Sequence, residues 1–151
     1  MQFFHPIFML VLLGLLFKVR ALGLMGLSIN SKSPEADQKD VLISKHGRFG
    51  VTMTILFVLG FAGGIFSSVN FVHVTHAFMQ TYGHGFIGII IISLLITQIF
   101  IGKSIKNIKV PKIKKRFFSF HKGIFTFLMI VAVLSLVTGA VVLISGPSAL
   151  T

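Results

Sequence analysis

Apolar residues collect into four long runs along the 151 positions, at roughly 3–27, 47–69, 83–102 and 117–144. A bilayer crossing needs about 20 mostly apolar residues, and each run supplies them. Little chain is left outside the runs. The pattern therefore predicts one transmembrane domain over 1–151, with no soluble catalytic module, built as an all-α, up-and-down four-helix bundle. The composition agrees, with 54% hydrophobic residues and a mean hydropathy of +0.96.

The polar breaks refine this picture. Ser28–Lys45 is the one long hydrophilic connector. Inside it Ser33-Pro34-Glu35 reads as a helix start, with Ser as cap, Pro in the first turn and acidic residues following. That predicts a helix from near Pro34 running unbroken into the second span. The stretch Asn70–Tyr82 is a short connector, while Lys103–Arg116 is a strongly basic loop interrupted by Pro111. The fourth span begins near Phe117 and stops at Ser145-Gly146-Pro147. Met1–Phe17 superficially resembles a signal peptide. It lacks a basic start, its charges follow the apolar run and no small-residue cleavage site is evident, so it is expected to be a retained span.

Charge adds orientation. The net charge is +11, with 14 Lys and Arg against 3 acidic residues. The basic residues sit near the end of the first span (Lys18, Arg20), in the connector between spans one and two, and around the connector between spans three and four. The amino terminus, the second connector and the carboxyl tail have none. This is a positive-inside distribution, which predicts both termini on the non-cytoplasmic side. Topology and attraction to anionic lipid explain the basicity, and nucleic acid is not needed as a partner.

There is no cysteine. Disulfides, thiolate-held iron–sulfur clusters and haem attached through Cys-x-x-Cys-His are excluded.

The chemistry then rests on histidine. His5, His46, His84 and His121 each stand at the beginning of one span. Alternate helices of an up-and-down bundle start on the same membrane side, so His5 pairs with His84 and His46 with His121. An ionisable group in a span costs on the order of 2 kcal/mol or more, so it usually has a partner or a function. Zinc sites favour three or four close ligands, often with Cys or carboxylate, and the only acids, Glu35, Asp37 and Asp40, lie in the first connector. A proton path would use membrane-buried acids. Two pairs fit two non-covalent b haems with bis-histidine ligation, one near each membrane face. His76 stands as an alternative to His5 opposite His84, and His73 and His76 read either as solvated interfacial residues or as haem propionate partners.

Smaller features fill in the expected sites. Gly50 and Gly88 each lie one turn beyond a histidine, on the same face as His46 and His84, and would give a macrocycle clearance. Gly60, Gly63 and Gly64 read as helix-packing residues. Lys18, Arg20, Arg48 and Lys122 are candidates for haem propionates or an anionic donor. No internal repeat is visible beyond the histidine at each span start.

In this arrangement of four histidines on four spans, the chain resembles the cytochrome b561 family. The resemblance implies two b haems in a four-helix core, with core helices paired first with third and second with fourth. By position, His5 and His84 would then hold the outer haem and His46 and His121 the inner one. It implies electron transfer between membrane faces, possible membrane oxidoreductase activity, and a donor and acceptor drawn from quinol, ascorbate, ferric chelates or a protein. Family members that oxidise ascorbate usually have six spans, and this chain has the core four. It looks closest to compact bacterial or photosynthetic-organelle relatives, which places it in a bacterial inner membrane or a thylakoid membrane. An accessory or assembly subunit of a larger respiratory or photosynthetic complex is the alternative. A transporter is disfavoured, because the spans offer neither acids nor broken half-helices.

Overall fold

The computed structural model describes residues 4–30, 34–69 and 83–145. The fold is all-helical among them. Helix α1 is Phe4–Ser28, α2 is Ala36–Val69, α3 is His84–Asn107 and α4 is Pro111–Ser145. All four are long and apolar enough to cross a membrane. His73 and His76 lie outside the described residues.

Local chemistry sets most helix ends. Ser28 Oγ donates to Met25 O at 2.8 Å, satisfying one of the carbonyls that a helix end leaves unpaired. Helix α2 starts where Pro34 and Glu35 predict: Gln38 N donates to Glu35 O at 3.0 Å, and Asp37 in the first turn complements the helix dipole. Gly83 precedes α3 with φ 75°, a left-handed conformation that glycine adopts without steric cost.

One boundary differs from expectation. The basic stretch 103–116 is mostly helix. Helix α3 continues to Asn107, and α4 begins at Pro111, leaving only 108–110 as a connector. Lysine and arginine are good helix formers, and Pro is favoured at the first helical position. Ile108 is extended, and the three-residue link makes α3 and α4 antiparallel neighbours. His121 therefore lies ten residues into its helix, as His46 does in α2, while His5 and His84 lie at the first or second residue of theirs.

Packing follows the hairpins. Helix α1 packs chiefly on α2 and α3 on α4, with α2 and α3 joining the two hairpins. The core is a narrow apolar column, with Leu12, Leu16, Met53, Ile91 and Leu128 essentially shielded from solvent. Each of these falls, along its own helix, between the two histidine levels. The outer surface carries large apolar side chains such as Phe66, Phe100, Phe120 and Leu59, all at least 60% exposed. Such a surface is suited to lipid contact, and the chain is an integral membrane protein.

Candidate haem-binding histidine pairs

The four histidines meet in two pairs across the bundle. His5 and His84 have ring centroids 6.2 Å apart with planes at 88°. His46 and His121 have centroids 6.2 Å apart with planes at 79°. The pairing is the one that helix alternation predicts. No cluster of three or more His, Cys, Asp or Glu occurs among the described residues, so the histidines stand as pairs.

Three of the rings are fixed from the neighbouring helix of their own hairpin. His5 Nδ1 donates to Gly60 O at 3.1 Å, and His46 Nδ1 donates to Val19 O at 2.9 Å. A carbonyl can only accept, so both rings carry their proton on Nδ1 and leave the Nε2 lone pair for a metal. His84 reaches the same state by one more step. Its Nδ1 lies 3.1 Å from Thr138 Oγ1, whose single proton is directed to Leu134 O and Ser135 O, both at 3.1 Å. Thr138 therefore accepts and His84 Nδ1 donates. His121 is different: its Nδ1 is buried without a hydrogen-bond partner.

Glycine makes room for these rings. A Cβ on Gly64 would lie 2.7 Å from His5 Cε1, one on Gly139 would lie 2.9 Å from His84 Cε1, and one on Gly23 would lie 3.1 Å from His46 Cε1. At Gly102 the corresponding distance to His121 Cε1 is 3.7 Å. In every case the glycine belongs to the hairpin partner of the helix bearing the histidine. A helical Cβ points back over the preceding turn, so a side chain there would cover the carbonyl four residues earlier. Gly64 and Gly23 uncover the carbonyls of Gly60 and Val19, each of which has a second lone pair to accept the ring N–H.

This rule has a sequence form. Each histidine is followed 18 positions later by glycine: His5 by Gly23, His46 by Gly64, His84 by Gly102 and His121 by Gly139. At about 3.6 residues per turn, 18 residues are five full turns, so histidine and glycine share one face. In an antiparallel hairpin the glycine of one helix then meets the histidine of the other. It is a repeat after all, visible as spacing rather than as similar segments.

The glycines and cations expected from the sequence fall as follows. Gly50 has open space where its Cβ would be, and a Cβ on Gly88 would lie 2.6 Å from the Phe61 ring. Gly60 faces Phe8 and Met9, and Gly63 faces open space. Lys18 Nζ lies 5.6 Å from the Phe49 ring centroid, and the Arg20 guanidinium lies 5.8 Å from that of Phe125, within cation–π range. Arg48 and Lys122 are exposed, two residues and one residue beyond the histidines of one pair.

The donor set fits a haem iron. A metal–imidazole bond is about 2.0–2.1 Å and the nitrogen lies roughly 1.1 Å from its ring centre, so two imidazoles opposed across one ion have centroids roughly 6.2–6.4 Å apart. Both pairs have that spacing. Neutral rings with Nδ1–H held by a protein acceptor are the usual state of metal-bound histidine.

These features define a class: a four-helix membrane protein with two half-buried imidazole pairs stacked along the bundle. The family model described as eukaryotic cytochrome b561 matches residues 5–110, and the chain belongs to that family. It is accordingly a transmembrane electron-transfer protein that uses b-type haem. The match includes His5, His46 and His84 and ends before α4, so His121 joins the set through the fold. No curated protein matches the chain, and no solved structure does.

Proposed function

We propose that the chain, acting as a single transmembrane domain, holds two b haems, one between His46 and His121 and one between His5 and His84, and carries electrons between the membrane faces. The observation that carries this reading is the repetition of one geometry, a 6.2 Å imidazole pair, at both levels of the bundle. Haem iron supplies the reversible one-electron chemistry when bound.

The chain's own residues do the rest. Gly60, Val19 and Thr138 hold three of the rings in the ligating tautomer. The apolar column around Leu16, Met53 and Leu128 keeps water out between the two levels. From each histidine to the residue level with the other pair is 14 positions, as from His46 to Gly60, or about 21 Å at a rise of 1.5 Å per residue. A hydrocarbon core of about 30 Å would then leave each pair about 5 Å inside its own face. The ten residues of α2 and of α4 that precede His46 and His121 extend about 15 Å further, which takes Lys39, Lys112, Lys114, Lys115 and Arg116 into the headgroup layer and water. Positive charge at that end supports a cytoplasmic location for it, with both termini opposite. An anionic donor or acceptor would meet the chain at this basic end, through Lys18, Arg20, Arg48 and Lys122.

The test is a dithionite-minus-air-oxidised absorption spectrum of the purified protein, with haem quantified against chain. Two haems per chain with low-spin b-type bands are expected. One haem would remove one of the two sites, and none would overturn the proposal.

A further inference from the structure

Three of the four rings have a partner for Nδ1. The fourth, His121, has none, and the only other buried side-chain atom without a partner among the described residues is Gln98 Oε1. These two groups are complementary, a ring N–H and an amide carbonyl. Their residues are already joined, since Gln98 Nε2 donates to His121 O at 2.8 Å. That bond also fixes the orientation of the amide, because only its NH₂ end can face a carbonyl. Gln98 is 8% exposed and lies among Leu95, Ile101 and other apolar residues of α3, where an unpaired amide oxygen is costly.

Position singles out the same residue. Counting 14 from each histidine gives Val19, Gly60, Gln98 and Ser135, the residues whose carbonyls the +18 glycines uncover. At the first two of these the backbone carbonyl takes the ring proton. At Gln98 the ring stands further from its glycine, 3.7 Å against 2.7–3.1 Å elsewhere, and a polar side chain is present instead.

We infer that Gln98 is a positioning residue for His121: its side chain clamps the ligand, with Nε2 donating to the His121 carbonyl and Oε1 accepting the ring Nδ1–H. This rests on the reading of His46 and His121 as a haem-ligating pair. It makes the acceptor behind this ligand a replaceable side chain, whereas at His5 and His46 it is backbone. An acceptor on Nδ1–H makes the imidazole a stronger electron donor to the metal and favours the oxidised state.

The experiment is a redox titration of the haem-loaded protein in detergent, in a His5→Ala background so that only the His46–His121 haem remains. Gln98→Met keeps the length but removes both polar contacts, and should raise the midpoint potential. Gln98→Glu keeps an acceptor with more negative charge, and should lower it. Each shift should be at least threefold in the redox equilibrium, about 28 mV for one electron. Loss of haem in Gln98→Met alone, with Gln98→Glu still loaded and shifted down, supports the same clamp. Potentials that stay put in both variants, or move in the same direction, overturn it. If the background protein with native Gln98 binds no haem, the ligand pair itself is wrong and the inference falls with it.

Discussion

The two histidine pairs have the same internal geometry and opposite settings. His5 and His84 stand at the very starts of α1 and α3, at an end of the bundle where no described residue is basic. His46 and His121 lie ten residues inside α2 and α4; the extension of α4 that precedes His121 is strongly basic, while in that of α2 Lys39 and Lys45 are balanced by Asp37 and Asp40. Identical ring spacing shows that the placement of the rings is set by the hairpins: a histidine on one helix and a glycine five turns along its partner. The different surroundings show that charge and access are set separately, by what precedes each histidine. Two sites built to one plan can therefore differ in potential and in the partners they meet.

Removing a ligand separates the pairs most strongly. His46→Ala and His121→Ala should each take haem from about two per chain to about one, with the same band lost in both, because an iron held by two imidazoles keeps neither geometry nor affinity with one. His5→Ala and His84→Ala should remove the other band. Haem quantification and low-temperature difference spectra read both results. If His5→Ala kept two haems while His84→Ala lost one, His76 would become the ligand opposite His84 and the symmetry of the pairs would break.

Next come the glycines, which grade the pairs by steric room. A methyl at Gly64 or Gly139 would fall 2.7 or 2.9 Å from the rings of His5 and His84, closer than real contacts allow. Overpacking of this kind typically costs about 1–3 kcal/mol. Gly64→Ala and Gly139→Ala should weaken haem retention at the His5–His84 pair and leave the other band intact. Gly102→Ala meets His121 at 3.7 Å, an ordinary contact, and replaces glycine in a helix, which is worth up to about 1 kcal/mol in its favour. It should retain haem fully. Thermal haem loss followed by absorbance ranks the variants, and equal behaviour of Gly64→Ala and Gly102→Ala would mean that the glycines do not seat the rings.

The pairs were legible in the sequence because parity needs only the number of spans and a histidine at each beginning. The rings' seats were harder to see. The sequence pattern predicts clearance one turn along the ligand's own helix, at Gly50 and Gly88, whereas the rings lie against glycines of the neighbouring helix. The +18 spacing was present throughout, but it acquires meaning only when two helices are set antiparallel and five turns of one are matched to the start of the other. The true start of α4 was hidden for a related reason. Hydropathy reports where a helix enters lipid, and α4 forms six residues before that, at Pro111, from residues chosen for water. Gln98 is a polar residue in a largely apolar span, yet nothing in the sequence links it to His121, 23 positions away on another helix.

The smallest expected effect is electrostatic and belongs to the basic end alone. Positive charge near a haem favours the reduced state, since reduction removes one unit of positive charge from the iron. Arg48 lies two residues from His46 on the outer surface of the bundle, and its long side chain lets the guanidinium reach the membrane interface, where solvent and salt screen it. An exposed charge of this kind is worth about 0.2–1 kcal/mol, roughly 10–40 mV for one electron. Arg48→Gln should lower the potential of the His46–His121 haem by that amount and leave the His5–His84 haem unmoved. Raising the ionic strength should shrink the difference between native and variant protein. A potential that rises in the variant, or a shift of equal size at both haems, would mean that Arg48 does not tune the site beside it.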